Sequence, residues 1–183
     1  MSNPLKRVIS GGQTGADLAA LCAAKVCRID TGGTAPRGFR TTLGSDYTLA
    51  SRYNLIESSS CSYVTRSKKN VDDSDATIAF RLRASPGTDK TVRYCATGRW
   101  QTRNLPTADT GAPYRPCLVV TDLSDELKVV ADIVAFVARI KPKTLNVCGH
   151  RDGRTAGKAD FETRVQIILT RAFKQIMTAK DDE

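Results

Sequence analysis

No stretch of this chain approaches the roughly 20 consecutive apolar residues that a membrane-spanning helix needs, so no membrane partner is expected. Histidine occurs once, at His150, and a single imidazole cannot build a His-rich metal centre. The six cysteines, Cys22, Cys27, Cys61, Cys95, Cys117 and Cys148, stand far apart without a C-x-x-C pair. Neither a zinc site nor a disulfide framework is spelled out by such spacing, so no structural metal is expected and the thiols are read as reduced and mostly core. The opening MSNPLKRVIS lacks the apolar segment and cleavage site of a secretory signal, from which a cytoplasmic location is expected. Aromatic residues make up only 6% and no RNP-like or zinc-finger pattern accompanies them. The net charge of +9 therefore argues for anionic small molecules in general and against a dedicated nucleic-acid binder.

What is present is an alternation. LKRVIS reads as a strand, and from Gly15 onward Leu18, Leu21, Cys22 and Val26, with the stem of Lys25, fall at helical spacing. Residues 32–46, rich in Gly, Thr and Pro, read as a long loop. CSYVTRSKKNVDDSD reads as a polar helix, ATIAF as a buried strand, SPGTDKT (Ser85 to Thr91) as a second glycine loop, and VRYCATG as a helix closed by Gly98. Residues 99–116 read as a turn-rich connection before the strand CLVVTDL. Ser124 is the expected N-cap of a helix reaching about Ile140, with Leu127, Val130, Ala131, Val134 and Val137 on its apolar face. TLNVCG is a further strand and HRDGRTAG a further polar loop. Phe161, Val165, Ile168, Leu169, Ala172 and Ile176 stripe a last helix. At 183 residues this fits one domain over 1–183, with a core over about 5–178 and a frayed tail at 179–183. The order of elements is that of an α/β fold with a mostly parallel sheet, whose ligands bind where loops leave the carboxyl ends of strands.

Three polar glycine segments stand at such ends. In GGQTGAD, Gly11, Gly12 and Gly15 expose backbone N–H groups at a helix start, where helix dipole and unpaired donors favour a phosphate, and Gln13 and Thr14 add polar contacts. The segment is neither a Walker A loop, whose lysine is missing, nor G-x-G-x-x-G, and a plain tight turn would explain its glycines alone. In SPGTDKT, Pro86 fixes the turn, Gly87 allows close approach, Ser85, Thr88 and Thr91 offer hydroxyls and Lys90 a charge; a capped helix start is the plainer alternative. Arg37 in APRG offers a guanidinium fork to a phosphate, or is a solvated loop residue. Of the acids in NVDDSDATI, Asp75 is the candidate ligand contact, although a helix-to-strand turn is the commoner use of such a cluster. His150 reads as a solvated loop residue.

Together ISGGQTGAD, GGTAPRG, NVDDSDATI, SPGTDKT, RPCLVV and LNVCGHR, in order over about residues 7–152, resemble the molybdenum-carrier family, whose members are similar to the molybdenum-cofactor carriers of green algae. That family lies in a Rossmann-like group with cytokinin-activating phosphoribohydrolases and receptors for nucleotide-derived signals. The resemblance implies a doubly wound sheet with helices on both faces, a pocket for a phosphorylated heterocycle, and a homo-oligomer. Position by position it carries Gly11, Gly12, Gln13, Thr14 and Gly15 onto the first loop, and Asn70, Asp73, Ser74 and Asp75 onto the middle one. Ser85, Gly87, Thr88 and Thr91 match the phosphate loop, and Arg151 a basic position after the last strand. The hydrolase relatives have a glycine-richer loop followed by a glutamate, where this chain has Asp89 and Lys90. The expectation is therefore a binding protein with no catalytic residue, carrying molybdenum cofactor or molybdate. Its alternatives are a receptor for an ADP-ribose or cyclic ADP-ribose signal and a nucleoside-monophosphate phosphoribohydrolase. Gly12→Val and Thr88→Val are expected to weaken binding without disturbing the fold.

Overall fold

The computed structural model describes residues 5–100, 114–151 and 160–179. Along the chain run β1 (Arg7–Ile9), α1 (Ala16–Val26), β2 (Asp30–Ala35), the short hairpin β3 (Arg40–Thr41) and β4 (Gly44–Ser45), α2 (Thr48–Tyr53), and β5 (Leu55–Glu57). They are followed by α3 (Tyr63–Asp72), β6 (Ala76–Phe80), α4 (Pro86–Thr97), β7 (Cys117–Val120), α5 (Glu126–Ile140), β8 (Thr144–Gly149) and α6 (Asp160–Thr178). Six strands form one all-parallel sheet in the order β5-β2-β1-β8-β6-β7. The chain starts in the middle, winds out through β2 to β5, crosses to β6 and β7, and returns to place β8 beside β1. This is the doubly wound α/β architecture expected from the sequence.

Alternation along the strands shows that both faces are covered. Ala76, Ile78 and Phe80 of β6, with Leu145 and Val147 of β8, join the main core under α1, α5 and α6. The intervening Thr77 and Asn146 face the other way, where the Asn146 Nδ2 donates to Thr77 Oγ1 at 3.2 Å. On that second face α3 and α4 pack on each other, with Val71, Tyr94 and Cys95 buried between them and the sheet.

Four sequence expectations are revised. Residues 32–46 are not one long loop, because Gly32, Gly33, Thr34 and Ala35 belong to β2, a strand paired on both sides. Gly33 has φ +118 and lies so close to Ser10 that a Cβ would overlap its backbone, so glycine is what lets β2 approach the turn after β1. SPGTDKT is the first turn of α4, with Pro86 at the helix start where its missing N–H costs nothing. Asp125, not Ser124, caps α5, its carboxylate accepting from Lys128 N, while the Ser124 hydroxyl donates to Asp122; Leu127 is 75% exposed. In α1 the Leu18, Leu21 and Cys22 stripe faces a small core with Phe39, Leu49 and Tyr53. Its opposite face, Ala16, Ala19, Ala20, Ala23 and Ala24, lies in the main core, and these small side chains let α1 sit against α6. The predicted α6 stripe holds: Val165, Ile168, Leu169, Ala172 and Ile176 are buried.

Candidate functional site

At the carboxyl ends of β6 and β8 opens a cavity of about 470 Å³. Its walls come from Asp17 in the first turn of α1, from Tyr63, Arg66 and Ser67 on α3, and from Arg83 to Ser85 after β6. Gly87, Thr88, Lys90 and Thr91 at the start of α4, Trp100, and Cys148 to Arg151 complete it. Such a place, outside strand ends where the winding reverses, is where open α/β sheets bind ligands.

Local structure explains each contribution. Ser62 caps α3, its Oγ accepting from Val64 N at 3.2 Å, and so fixes Tyr63 at the cavity rim. One turn on, Arg66 is buried and pairs with the buried Asp17 at 3.2 Å, while its Nε has no partner among the described residues. Burial pushes the Asp17 carboxyl above the usual range, although Arg66, the backbone N–H groups of Gln13 and Gly11, and the charge of Arg151 pull it down. At α4, Pro86 and the backbone N–H groups of Gly87 and Thr88 stand at the positive helix end. The Ser85 and Thr88 hydroxyls lie 3.0 Å apart, and a Cβ on Gly87 would meet nothing within 4 Å. Arg81 pairs with Asp89 just outside and holds that carboxyl below the usual range.

His150, expected to be solvated, is 8% exposed. Its Nε2 accepts from Arg83 N at 3.0 Å, its carbonyl accepts from Ala16 N, and its ring meets Phe161 edge-on. Burial, with Arg83 nearby, lowers its pKa, so the neutral ring acts as an acceptor that shapes the turn after β6. Arg151 lies with its guanidinium carbon 4.3 Å from the centroid of Tyr63. Among the described residues, no three His, Cys, Asp or Glu side chains stand close enough to hold a metal ion, and no helix is long and apolar enough to cross a membrane.

Comparison with known proteins gives this geometry a family. The model of the circularly permutated YpsA SLOG family matches residues 8–172, from β1 into α6. The chain belongs to that family. No curated protein matches it. Among solved structures, this SLOG chain is similar to the crystal structure, at 1.45 Å resolution, of a protein named "Putative molybdenum carrier protein" from Syntrophus aciditrophicus SB. The two are 26% identical with a TM-score of 0.74, over 94% of this chain and 97% of that one. The family resemblance read from the motifs and the doubly wound fold it implies therefore stand.

Within this SLOG fold the expected site residues divide. Ser85, Gly87, Thr88, Thr91 and Arg151 line the cavity. Gly11, Gly12, Gln13, Thr14 and Gly15 are buried beside it but do not line it, and several of their polar groups have partners within the chain, whereas the buried Gln13 Oε1 has none among the described residues. Gln13 N–H reaches Asp17 at 3.3 Å, the Gln13 amide donates to Arg40 O, the Thr14 hydroxyl pairs with Thr42, and Gly15 N–H donates to Glu162 at 2.5 Å. Arg37 is exposed in the turn after β2, its N–H donating to Ser60 O. Asn70 is buried and ties α3 to β2, its amide exchanging hydrogen bonds with Thr34 N and O. Asp75 stands at the amino end of β6, the sheet edge away from the cavity, where it accepts from Lys143 N and Thr144 N. The basic segment after Arg151 lies outside the described residues.

Tyr63, Arg66, Arg83 and Trp100 also line the cavity, although none belongs to a glycine segment. A usable signal existed for two of them. Tyr63, Arg66, Ser67 and Asn70 are spaced i, i+3, i+4, i+7, so the helix read only as polar carries a single inward polar face.

Proposed function

We propose that this chain is a non-catalytic binder and carrier of a phosphorylated heterocycle, with molybdenum cofactor as the cargo. The observation that carries this reading is the cavity at the strand ends, where the first turn of α4 and the side chains of Arg83, Lys90 and Arg151 line one space with the aromatic side chains of Tyr63 and Trp100. Helix-end N–H groups and guanidinium forks suit phosphate oxygens, and an aromatic wall suits a flat ring. The donor set fits such a cargo: Gly87, Thr88 and Thr91 would hold its phosphate, and Arg83, Lys90 and Arg151 would add charge around it. The similar solved structure, named for a molybdenum carrier, supports a carrier reading with a molybdenum-containing cargo. Bare molybdate would use the cations but leave the aromatic wall without a role. An ADP-ribose type signal shares the phosphate chemistry and is the rival binding reading.

Thermal shift against molybdenum cofactor, molybdate, AMP and ADP-ribose separates these ligands. A ligand at about 100 times its Kd adds about 2.7 kcal/mol of stability. Molybdenum cofactor is expected to give the largest rise, and Thr88→Val to reduce it. If only adenine nucleotides raise the melting temperature, the carrier reading is wrong and a nucleotide receptor takes its place.

One observation favours a catalytic alternative. Asp17 is a buried carboxyl in the cavity wall whose raised pKa suits proton transfer. Asp89 is paired with Arg81 and Asp75 sits at the far sheet edge, so neither could serve in its place. Release of adenine from AMP, abolished in Asp17→Asn, would make the protein a phosphoribohydrolase; no release is expected.

A further inference from the structure

The cavity wall carries four permanent cations, Arg66, Arg83, Lys90 and Arg151, against one carboxylate, Asp17. Arg66 and Asp17 neutralise each other. Among the described residues, Arg83, Lys90 and Arg151 form no ion pair, whereas the neighbouring Arg81 just outside the cavity is paired. Three like charges around one cavity, none in an ion pair among the described residues, raise its positive potential and favour an anion there.

These charges sit on two different supports. Arg83 and Lys90 flank the first turn of α4, where the helix dipole adds to their field. Arg151 comes from the end of β8 and is stacked on Tyr63, itself fixed by the Ser62 cap of α3. Stacking spends one face of the guanidinium on the ring and leaves its N–H edge to a ligand, with much of the ordering of a long side chain already done. Tyr63 is then a positioning residue, acting through Arg151. Resting on the reading of this cavity as a phosphate site, we propose that its ligand carries two anionic groups. One is seated at the start of α4 against Arg83 and Lys90, and the other is held by Arg151.

Calorimetric titration of the full chain with AMP, ADP and adenosine 3′,5′-bisphosphate tests this, with quenching of Trp100, the chain's single tryptophan and a cavity residue, as an independent readout. At least one of the two doubly anionic probes is expected to bind about tenfold or more tighter than AMP, with a steeper loss of affinity in salt. In Arg151→Ala that ratio falls below about threefold, whereas Lys90→Ala weakens all three probes together. Tyr63→Leu reduces the ratio as Arg151→Ala does, and Tyr63→Phe, which keeps the ring face, rescues it. Equal affinities for all three probes in the wild type, or an unchanged ratio in Arg151→Ala, overturn the two-anion proposal while leaving the phosphate site intact. If none of the probes binds, the two-anion proposal fails; if molybdenum cofactor does not bind either, the reading of the cavity as a phosphate site fails with it.

Discussion

At the start of α1, Gly15 N–H donates to Glu162, Gln13 N–H to Asp17, and the Arg66 guanidinium lies where a Cβ of Gly11 would be. At the start of α4, Pro86 has no N–H, Gly87 faces open space, and the cavity cations Arg83 and Lys90 form no ion pair among the described residues. Both segments put glycine at a helix start after a strand, and in sequence both read as phosphate loops. The difference lies in what supplies the negative charge. In the first segment the chain supplies it, from Glu162 and Asp17, and leucines fill the remaining space. In the second the one acid of the turn, Asp89, is committed to Arg81, and among the described residues no carboxylate pairs with Arg83, Lys90 or Arg151. An anion-binding backbone is thus a requirement that a fold can meet internally, and only the neighbours reveal whether it was met.

Breaking the internally filled segment should cost the most. Arg66→Ala would strand the buried Asp17 charge beside Gly11, for which a loss of about 3–5 kcal/mol is expected. For a chain of this size that is roughly 10 °C or more in Tm, measured by calorimetry. The pair Arg66→Met with Asp17→Leu should recover much of it, because it removes both charges instead of orphaning one. Gly12→Val comes next. Gly12 has φ +72, and a Cβ there would fall 2.6 Å from the Leu55 Cδ2 and 3.0 Å from Leu49, so strained backbone and overpacking together should destabilise by about 2–4 kcal/mol. The expectation that this change spares the fold is therefore withdrawn. An unaltered Tm would mean that the first segment is not filled as described. Glu162→Ala removes the acceptor of Gly15 N–H and, by analogy with a lost helix cap, should cost about 1 kcal/mol.

The fold was legible because it is written in periodicities that survive without tertiary knowledge. ATIAF, CLVV and TLNVCG are short apolar runs bounded by polar turns, and all three are strands where expected. β2 was not legible, since DTGGTA carries no apolar period; its glycines answer to Ser10 and Arg7, which lie more than 20 positions earlier in the chain. At the site, Ser85, Thr88 and Thr91 were visible because hydroxyls crowd a helix start, a local pattern. The pairing of Arg66 with Asp17 was not, since helical spacing marks the one and the first glycine segment contains the other, but only the fold brings them to 3.2 Å. Asp75 misled for the converse reason: an acid before a strand can serve either edge of the sheet, and the direction of a parallel strand puts its first residue at the edge away from the ligand.

The smallest change in stability should sharpen the contrast most. Gly87→Ala places its Cβ where nothing lies within 4 Å, at a helical position whose φ an alanine adopts freely. Reduced freedom of the unfolded chain should then raise stability by about 0.5 kcal/mol, the opposite sign from Gly12→Val. That same methyl projects into the space a ligand would take, so affinity for AMP should fall while Tm in the absence of ligand holds or rises. The combination matters because an effect on packing moves both quantities together, as Gly12→Val would. Gly87→Ala with lower Tm, or with undiminished affinity, would show that the start of α4 is as internally committed as the start of α1, and the assignment of one segment to structure and the other to ligand would lose its basis.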